Sequence, residues 1–180
     1  MYYLTSYFLI AILFYIEYHY EYSRITTTIQ ISGDDGGSTR FLVLSCLLSL
    51  VVSPCWEIFV PIATIGTVAP WIGISCMMVA MILLRWTMLA NPFYLRAMAT
   101  TDDQLICTNG PYRYIRHPGY LSFLLGWIGF GLTVNNWIAL LMIFVLFTVV
   151  YTIRIQAEEQ MMLDRFGAGY QHYMDETLSF

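Results

Sequence analysis

Arg113, Arg116 and His117 stand directly before an apolar run in GPYRYIRHPGYLSFLLGWIGFGL, Gly110 to Leu132. Placing a charge in hydrocarbon costs at least ~2.5–3.5 kcal/mol, so cations this close to an apolar helix mark either a functional site or an anchor whose head reaches the lipid headgroups. A second polar cluster, RIQAEE from Arg154 to Glu159, follows the last apolar run. Arg154 and Glu158 are four residues apart and share one helical face, with Met161, Met162 and Arg165 continuing near it. That spacing by itself fits a solvated ion pair as well as part of a binding site. In a site, the guanidinium would favour an anionic group and the carboxylate a cationic one. No Ser/His/Asp or Cys/His constellation suggests covalent catalysis. His19, His117 and His172 have no metal-ligand spacing, so no metal is expected.

The composition sets the class of scaffold that carries these clusters. Of 180 residues, 58% are hydrophobic and only 11% are charged, with a mean hydropathy of +0.63. A water-soluble domain of this length could not hide so much apolar surface, which predicts an integral membrane protein of one domain, residues 1–180. The net charge of −4 comes from scattered acidic groups, and all eight basic residues are arginine. Without a polybasic run or basic-aromatic array, a nucleic-acid partner is not expected. Cys46, Cys55, Cys76 and Cys107 form no CxxC pair, and three lie in apolar stretches where cysteine is an ordinary small hydrophobe. The first apolar run lacks the basic start and small-residue cleavage site of a signal peptide and is read as mature structure.

The apolar runs predict about five transmembrane helices in an all-α fold, over Tyr2–Ile16, Phe41–Phe59, Ile62–Leu84, Tyr120–Val134 and Trp137–Ile153. The first three form an N-terminal part, residues 1–90. Residues 91–180 hold a long polar connection, a helix hairpin and an amphipathic C-terminal helix. Pro70 lies inside the third run and predicts a kink. Fifteen residues from Tyr120 rise only about 22 Å, short of a hydrocarbon core of ~30 Å, and the segment before them is broken by Pro111, Pro118, Gly110 and Gly119. Irregular backbone at that depth is tolerated where it lines a cavity, so a cytoplasm-facing pocket is expected there. The tight turn Asn135-Asn136 returns Arg154 to the side where His117 enters. Threading five helices puts all eight arginines on one side, which predicts a cytoplasmic C terminus. The membrane would be the cell inner membrane in a prokaryote and the endoplasmic reticulum in a eukaryote. Gly126, Gly129 and Gly131 thin one stretch of the fourth helix, as packing within the chain or between chains would need, which leaves the oligomeric state open.

The ordered set GPYRYIRHPGY, a short apolar hairpin, RIQAEE and FGAGYQHY resembles the isoprenylcysteine carboxyl methyltransferase family, with its phospholipid methyltransferase relatives, over about Leu105–Tyr173. The GDDGGS stretch before the second helix also resembles a loop of prokaryotic members. The resemblance implies S-adenosylmethionine bound in a pocket made by the long connection and the last helix. It implies cofactor contacts from Tyr112, His117, Pro118, Gly119 and Tyr120 in the loop and from the strip Gln104, Leu105, Ile106 and Cys107. Eukaryotic members commonly begin that strip with histidine where this chain has Gln104. Glu158 matches a cofactor-binding carboxylate. Arg154 matches the residue facing the methyl acceptor and is expected to act in catalysis and in substrate binding, with Glu159 beside it.

The residue chemistry is compatible with those roles. A carboxylate suits the cofactor's ammonium, imidazole or backbone N–H groups suit its carboxylate, and tyrosine rings can wall its adenine and sulfonium. Methyl transfer to a carboxylate needs no general base, since the acceptor is already anionic; positioning and exclusion of water are the task. The expected function is methyl transfer to a lipidic acceptor in the membrane, first the carboxylate of a prenylated cysteine. The alternatives are a phospholipid amine, for which Glu159 would be the base, a sterol-reductase-like enzyme using NADPH, and a non-catalytic helical membrane protein. Arg113 and Arg116 are expected only to hold the loop at headgroup level.

Overall fold

The computed structural model describes residues 2–22, 29–30, 37–94, 100–101 and 104–179. Most of the polar loop expected before the second helix lies outside these, including Gly33–Gly36 of GDDGGS, as do Arg24 and Arg96. Seven α-helices follow in order: α1 Tyr2–Tyr22, α2 Ser38–Val51, α3 Ser53–Phe59, α4 Ala69–Ala90, α5 Pro118–Val134, α6 Trp137–Phe166 and α7 Ala168–Glu176. Short 3-10 turns occupy Pro61–Ala63 and Gly110–Arg113. Ile29–Gln30 and Thr100–Thr101 pair as a two-residue antiparallel ribbon.

Among the described residues, three helical stretches are long and apolar enough to cross a membrane: Ser38–Trp56, Ala69–Ala90 and Trp137–Phe166. Helix α5 is apolar but shorter. Helix α1 is long, but its many tyrosines and its acidic residues lower its hydropathy. Large apolar side chains such as Leu4, Ile62, Val79 and Val145 point outward from the bundle, as expected of a surface that meets lipid tails.

The proline positions explain where the expected helix boundaries shift. The second apolar run breaks at Val52, and Pro54 lies in the first turn of α3. Pro70 does not kink the third run. It lies in the first turn of α4, where its missing N–H would have no intrahelical partner anyway. Pro118 opens α5 in the same way, two residues ahead of the expected start. Helix α6 passes through Arg154 without a break and ends at Gly167, so one 30-residue helix replaces the expected span and its separate amphipathic successor.

Two features set the geometry of the hairpin. Asn135 adopts the left-handed conformation, φ 60°, which asparagine tolerates better than most residues. Asn136 then caps α6, its Oδ1 accepting from the N–H groups of Ile138 and Ala139 at 3.0 and 3.3 Å. The Asn136 amide also donates to the carbonyls of Trp56 and Val60, tying the turn to the end of α3. Helices α4 and α5 approach so closely at Gly73 and Gly129 that a Cβ on Gly73 would lie 2.4 Å from the Gly129 carbonyl oxygen. Packing within the chain therefore accounts for the thin stretch of α5. The core between α1, α4, α5 and α6 is built on Leu13, Leu84, Phe130 and the stacked pair Trp127 and Phe147, whose rings lie 4.3 Å apart.

Candidate active site

The short α5–α6 hairpin brings the two polar clusters of the sequence side by side. Tyr120, in the first turn of α5, stacks on Tyr151 of α6 with ring centroids 5.4 Å apart. One turn further along α6, Arg154 and then Glu158 both neighbour the Tyr120 hydroxyl. These residues line a cavity of about 1130 Å³, counting its open mouth.

The connection from α4 to α5 supplies the opposite wall. Gln104–Cys107 form an extended strip along the cavity. The Cys107 thiol donates to the Ala90 carbonyl at 3.4 Å, and burial pushes its pKa up, so it is an inert wall group. The 3-10 turn at Gly110–Arg113 holds Tyr112 half-buried, and its backbone carbonyl accepts from the Tyr173 hydroxyl at 2.8 Å. Burial raises the hydroxyl pKa of Tyr112 and of Tyr170, and lifts Tyr173 to about 12. At neutral pH these phenols are uncharged donors, which suits an aromatic wall.

In the cavity wall, one side chain joins three segments. Arg116 Nε donates to Glu159 Oε1 at 2.8 Å, and its Nη1 donates to the carbonyls of Met174 and Thr177. His117 Nε2 lies 3.0 Å from the same Glu159 oxygen, and its Nδ1 lies 3.8 Å from Glu158 Oε2. The backbone repeats the join: Arg116 N–H donates to Leu178 O, and Leu178 N–H to Tyr114 O. Loop, α6 and the segment after α7 are thus one unit. This corrects the expectation for Arg116, which reaches inward to Glu159 instead of outward to headgroups. Arg113 is exposed.

Arg154 is buried, 3% exposed, and its Nη1 donates to Ser38 Oγ at 3.2 Å and Thr39 Oγ1 at 3.1 Å. Helix α2 therefore orients the guanidinium from behind while the cavity lies in front. A solvated surface pair is excluded.

Of the site residues expected from sequence, Gln104, Leu105, Ile106, Cys107, Tyr112, His117, Gly119, Tyr120, Arg154 and Glu158 are gathered around this one cavity. Pro118 and Glu159 are not in its wall. Pro118 starts α5, and Glu159 faces Arg116 and His117. The sequence reading missed Tyr94 and Asn91, which follow α4, Tyr151 one turn before Arg154, and Glu17 of α1, all cavity-lining. Tyr170 and Tyr173 of the FGAGYQHY motif line the cavity too. A signal for Glu17 is present: a carboxylate directly after a long apolar helical run is a functional candidate.

Comparison with known proteins bears on what the cavity holds. Residues 71–164 match the sequence model of the isoprenylcysteine carboxyl methyltransferase family. A fission-yeast (Schizosaccharomyces pombe) protein-S-isoprenylcysteine O-methyltransferase is 29% identical over 83 residues, covering 46% of this chain and 35% of the relative. The protein of that name from Dictyostelium discoideum is 27% identical over 112 residues, covering 61% of this chain and 47% of the relative. The chain thus spans between about a third and a half of the length of these relatives.

Proposed function

The chain belongs to the isoprenylcysteine carboxyl methyltransferase family, and from that membership we propose that it moves a methyl group from S-adenosylmethionine to the carboxylate of a prenylated cysteine. The observation that carries this reading is the pairing of Glu158 and Arg154. They lie one helical turn apart on the cavity face of α6, opposite in charge, with tyrosines between and around them.

The donor set fits the cofactor. Glu158 has a side chain about one-third exposed at the cavity and takes the ammonium as a charge-assisted hydrogen bond. His117 and the backbone N–H groups opening α5 take the carboxylate, at the positive end of a helix dipole. Tyr112 and Tyr120 wall the adenosine and the sulfonium. When bound, S-adenosylmethionine supplies an electrophilic methyl group on a positively charged sulfur. Arg154 holds the acceptor carboxylate, pre-oriented by Ser38 and Thr39, and the apolar side chains Phe14, Leu42 and Phe123 exclude water from the reacting oxygen. No proton has to move, because the acceptor is already anionic.

An amine acceptor is disfavoured by the position of Glu159. The carboxylate that would serve as its base accepts from Arg116 and His117 and stands outside the cavity wall. In the membrane, we place α1, the α2–α3 unit, α4, α5 and α6 as five crossing segments, with the cavity and the C terminus on the cytoplasmic side.

Titration calorimetry on detergent-purified protein tests the reading directly. S-adenosylhomocysteine is expected to bind and NADPH is not. The converse result would replace the methyltransferase with a nicotinamide enzyme. Transfer of labelled methyl to a prenylcysteine analogue, against a phosphatidylethanolamine control, then tests the acceptor.

A further inference from the structure

Glu17 is a carboxylate in the C-terminal part of α1, directly after its apolar stretch; it is 2% exposed and lines the cavity. Helix α1 lies outside residues 71–164, so family membership assigns Glu17 nothing. Burying a carboxylate costs several kcal/mol unless it is well bonded, and a leucine would pack there without that cost. The Tyr94 hydroxyl donates to Glu17 Oε1 at 2.7 Å.

Tyr94 is restrained from three further sides. Its backbone N–H donates to Asn91 O in the turn that ends α4. Its ring meets Tyr20 edge-on at 6.5 Å, and Tyr20 is itself anchored by its hydroxyl to Met88 O. Its far edge lies over the start of α5. A Cβ added to Gly119 would come 3.0 Å from Tyr94 Cε2 and 3.2 Å from its hydroxyl oxygen, so Tyr94 needs glycine there to lie so close. Burial and the charge of Glu17 hold the phenol pKa well above its ordinary value, which keeps the hydroxyl a permanent donor. One ring therefore bridges α1, the turn after α4 and the first turn of α5, and it lines the cavity between them.

We propose that Tyr94 is a wall against which the methyl donor packs, and that Glu17 is its positioning residue, making α1 part of the donor site. This rests on the cavity being a donor site. Glu17 acts through geometry: its oxygen fixes the rotation of the ring, and the ring fixes the width of the cavity above Gly119.

The test is S-adenosylhomocysteine affinity by calorimetry, with the melting temperature of the same samples. Tyr94→Phe and Glu17→Leu are each expected to weaken binding about tenfold, as loss of a hydrogen bond to a charged group implies. The double variant should be no weaker than either single one, because both remove the same bond. Glu17→Gln should recover most of the affinity, since an amide oxygen still accepts from the phenol. Tyr7→Phe is the control. It removes the bond from α1 to Leu50 O, remote from the cavity, and should lower the melting temperature without changing affinity. Wild-type affinity in both Tyr94→Phe and Glu17→Leu would overturn the assignment, as would a loss in Tyr7→Phe equal to theirs. If the unmodified protein binds no S-adenosylhomocysteine, the donor site itself is refuted and the assignment falls with it.

Discussion

Arg116 and Glu159 meet through a 2.8 Å bond between Nε and Oε1, with side chains 9% and 15% exposed. Around this pair the polar loop, α6 and the C-terminal segment converge, since the same guanidinium also caps the carbonyls of Met174 and Thr177. A bond this shielded resists screening by salt better than a surface pair. Glu159 Oε1 also meets His117 Nε2 at 3.0 Å, so the imidazole just before α5 is held by a protein carboxylate.

Removing one partner leaves the other buried without its charge match. Arg116→Ala and Glu159→Ala are each expected to destabilise the protein by about 3 kcal/mol, in the range for a broken buried pair. The double variant should be less destabilised than the sum, and Arg116→Lys should recover part of the loss, since a point charge cannot reach all three partners at once. Thermal unfolding in detergent measures this. Independent, additive losses would show that the pair does not act as a unit.

Glu158 and Arg154 should divide binding from acceptor turnover. Glu158→Gln is expected to weaken S-adenosylhomocysteine by ~1.5–3 kcal/mol, the range for a charge-assisted hydrogen bond. Arg154→Ala should leave that affinity nearly unchanged and lower turnover of a prenylcysteine analogue well over tenfold, with Arg154→Lys restoring only part. Both quantities are read on the same purified samples. Loss of cofactor affinity in Arg154→Ala with an intact response in His117→Ala would reverse the assignment.

Tyr173 has a pH signature. Its hydroxyl donates to Tyr112 O, and burial lifts its pKa to about 12 from an unfolded value near ~10. A pKa raised in the folded state means the unfolded chain releases the proton first. The stability contribution is thus complete below about pH 10 and is lost as pH rises towards 12. Tyr173→Phe is expected to be about 1 kcal/mol less stable at neutral pH, and the gap to the unmodified protein should narrow above about pH 10. Melting temperatures across that range check it, and a gap that widens with pH would contradict the sign.

The proposed orientation is tested with single cysteines in a cysteine-free background. Thr67 lies beside the Asn135 turn, and Ala168 opens α7; both are exposed. A membrane-impermeant thiol reagent is expected to label Thr67→Cys from outside intact cells and to reach Ala168→Cys only after permeabilisation. The opposite pattern would invert the topology.

The amino-acid sequence by itself determined the class of molecule, the hairpin and many of the residues gathered around the cavity. Apolar runs report burial in lipid or protein whatever the tertiary arrangement, so the major helices were legible. Asn135-Asn136 was legible as a turn because the left-handed conformation and the cap are local properties of asparagine. Arg154, Glu158 and His117 could be placed together because a short hairpin leaves its two ends no other choice. Helix ends were less legible, since Pro70 reads as a kink or as a first-turn residue depending on where the backbone bonds begin. Only the tertiary structure decided what each charge faces. Arg116 and Glu159 are 43 residues apart, and nothing local distinguishes an arginine that reaches to headgroups from one that closes on a carboxylate across a loop. The same holds for Glu17 and Tyr94, which lie 77 residues apart. Local sequence carries backbone preference and hydropathy, whereas the partner of a long polar side chain is set by which helices pack together, and here α1 supplies Phe14 and Glu17 to the cavity wall.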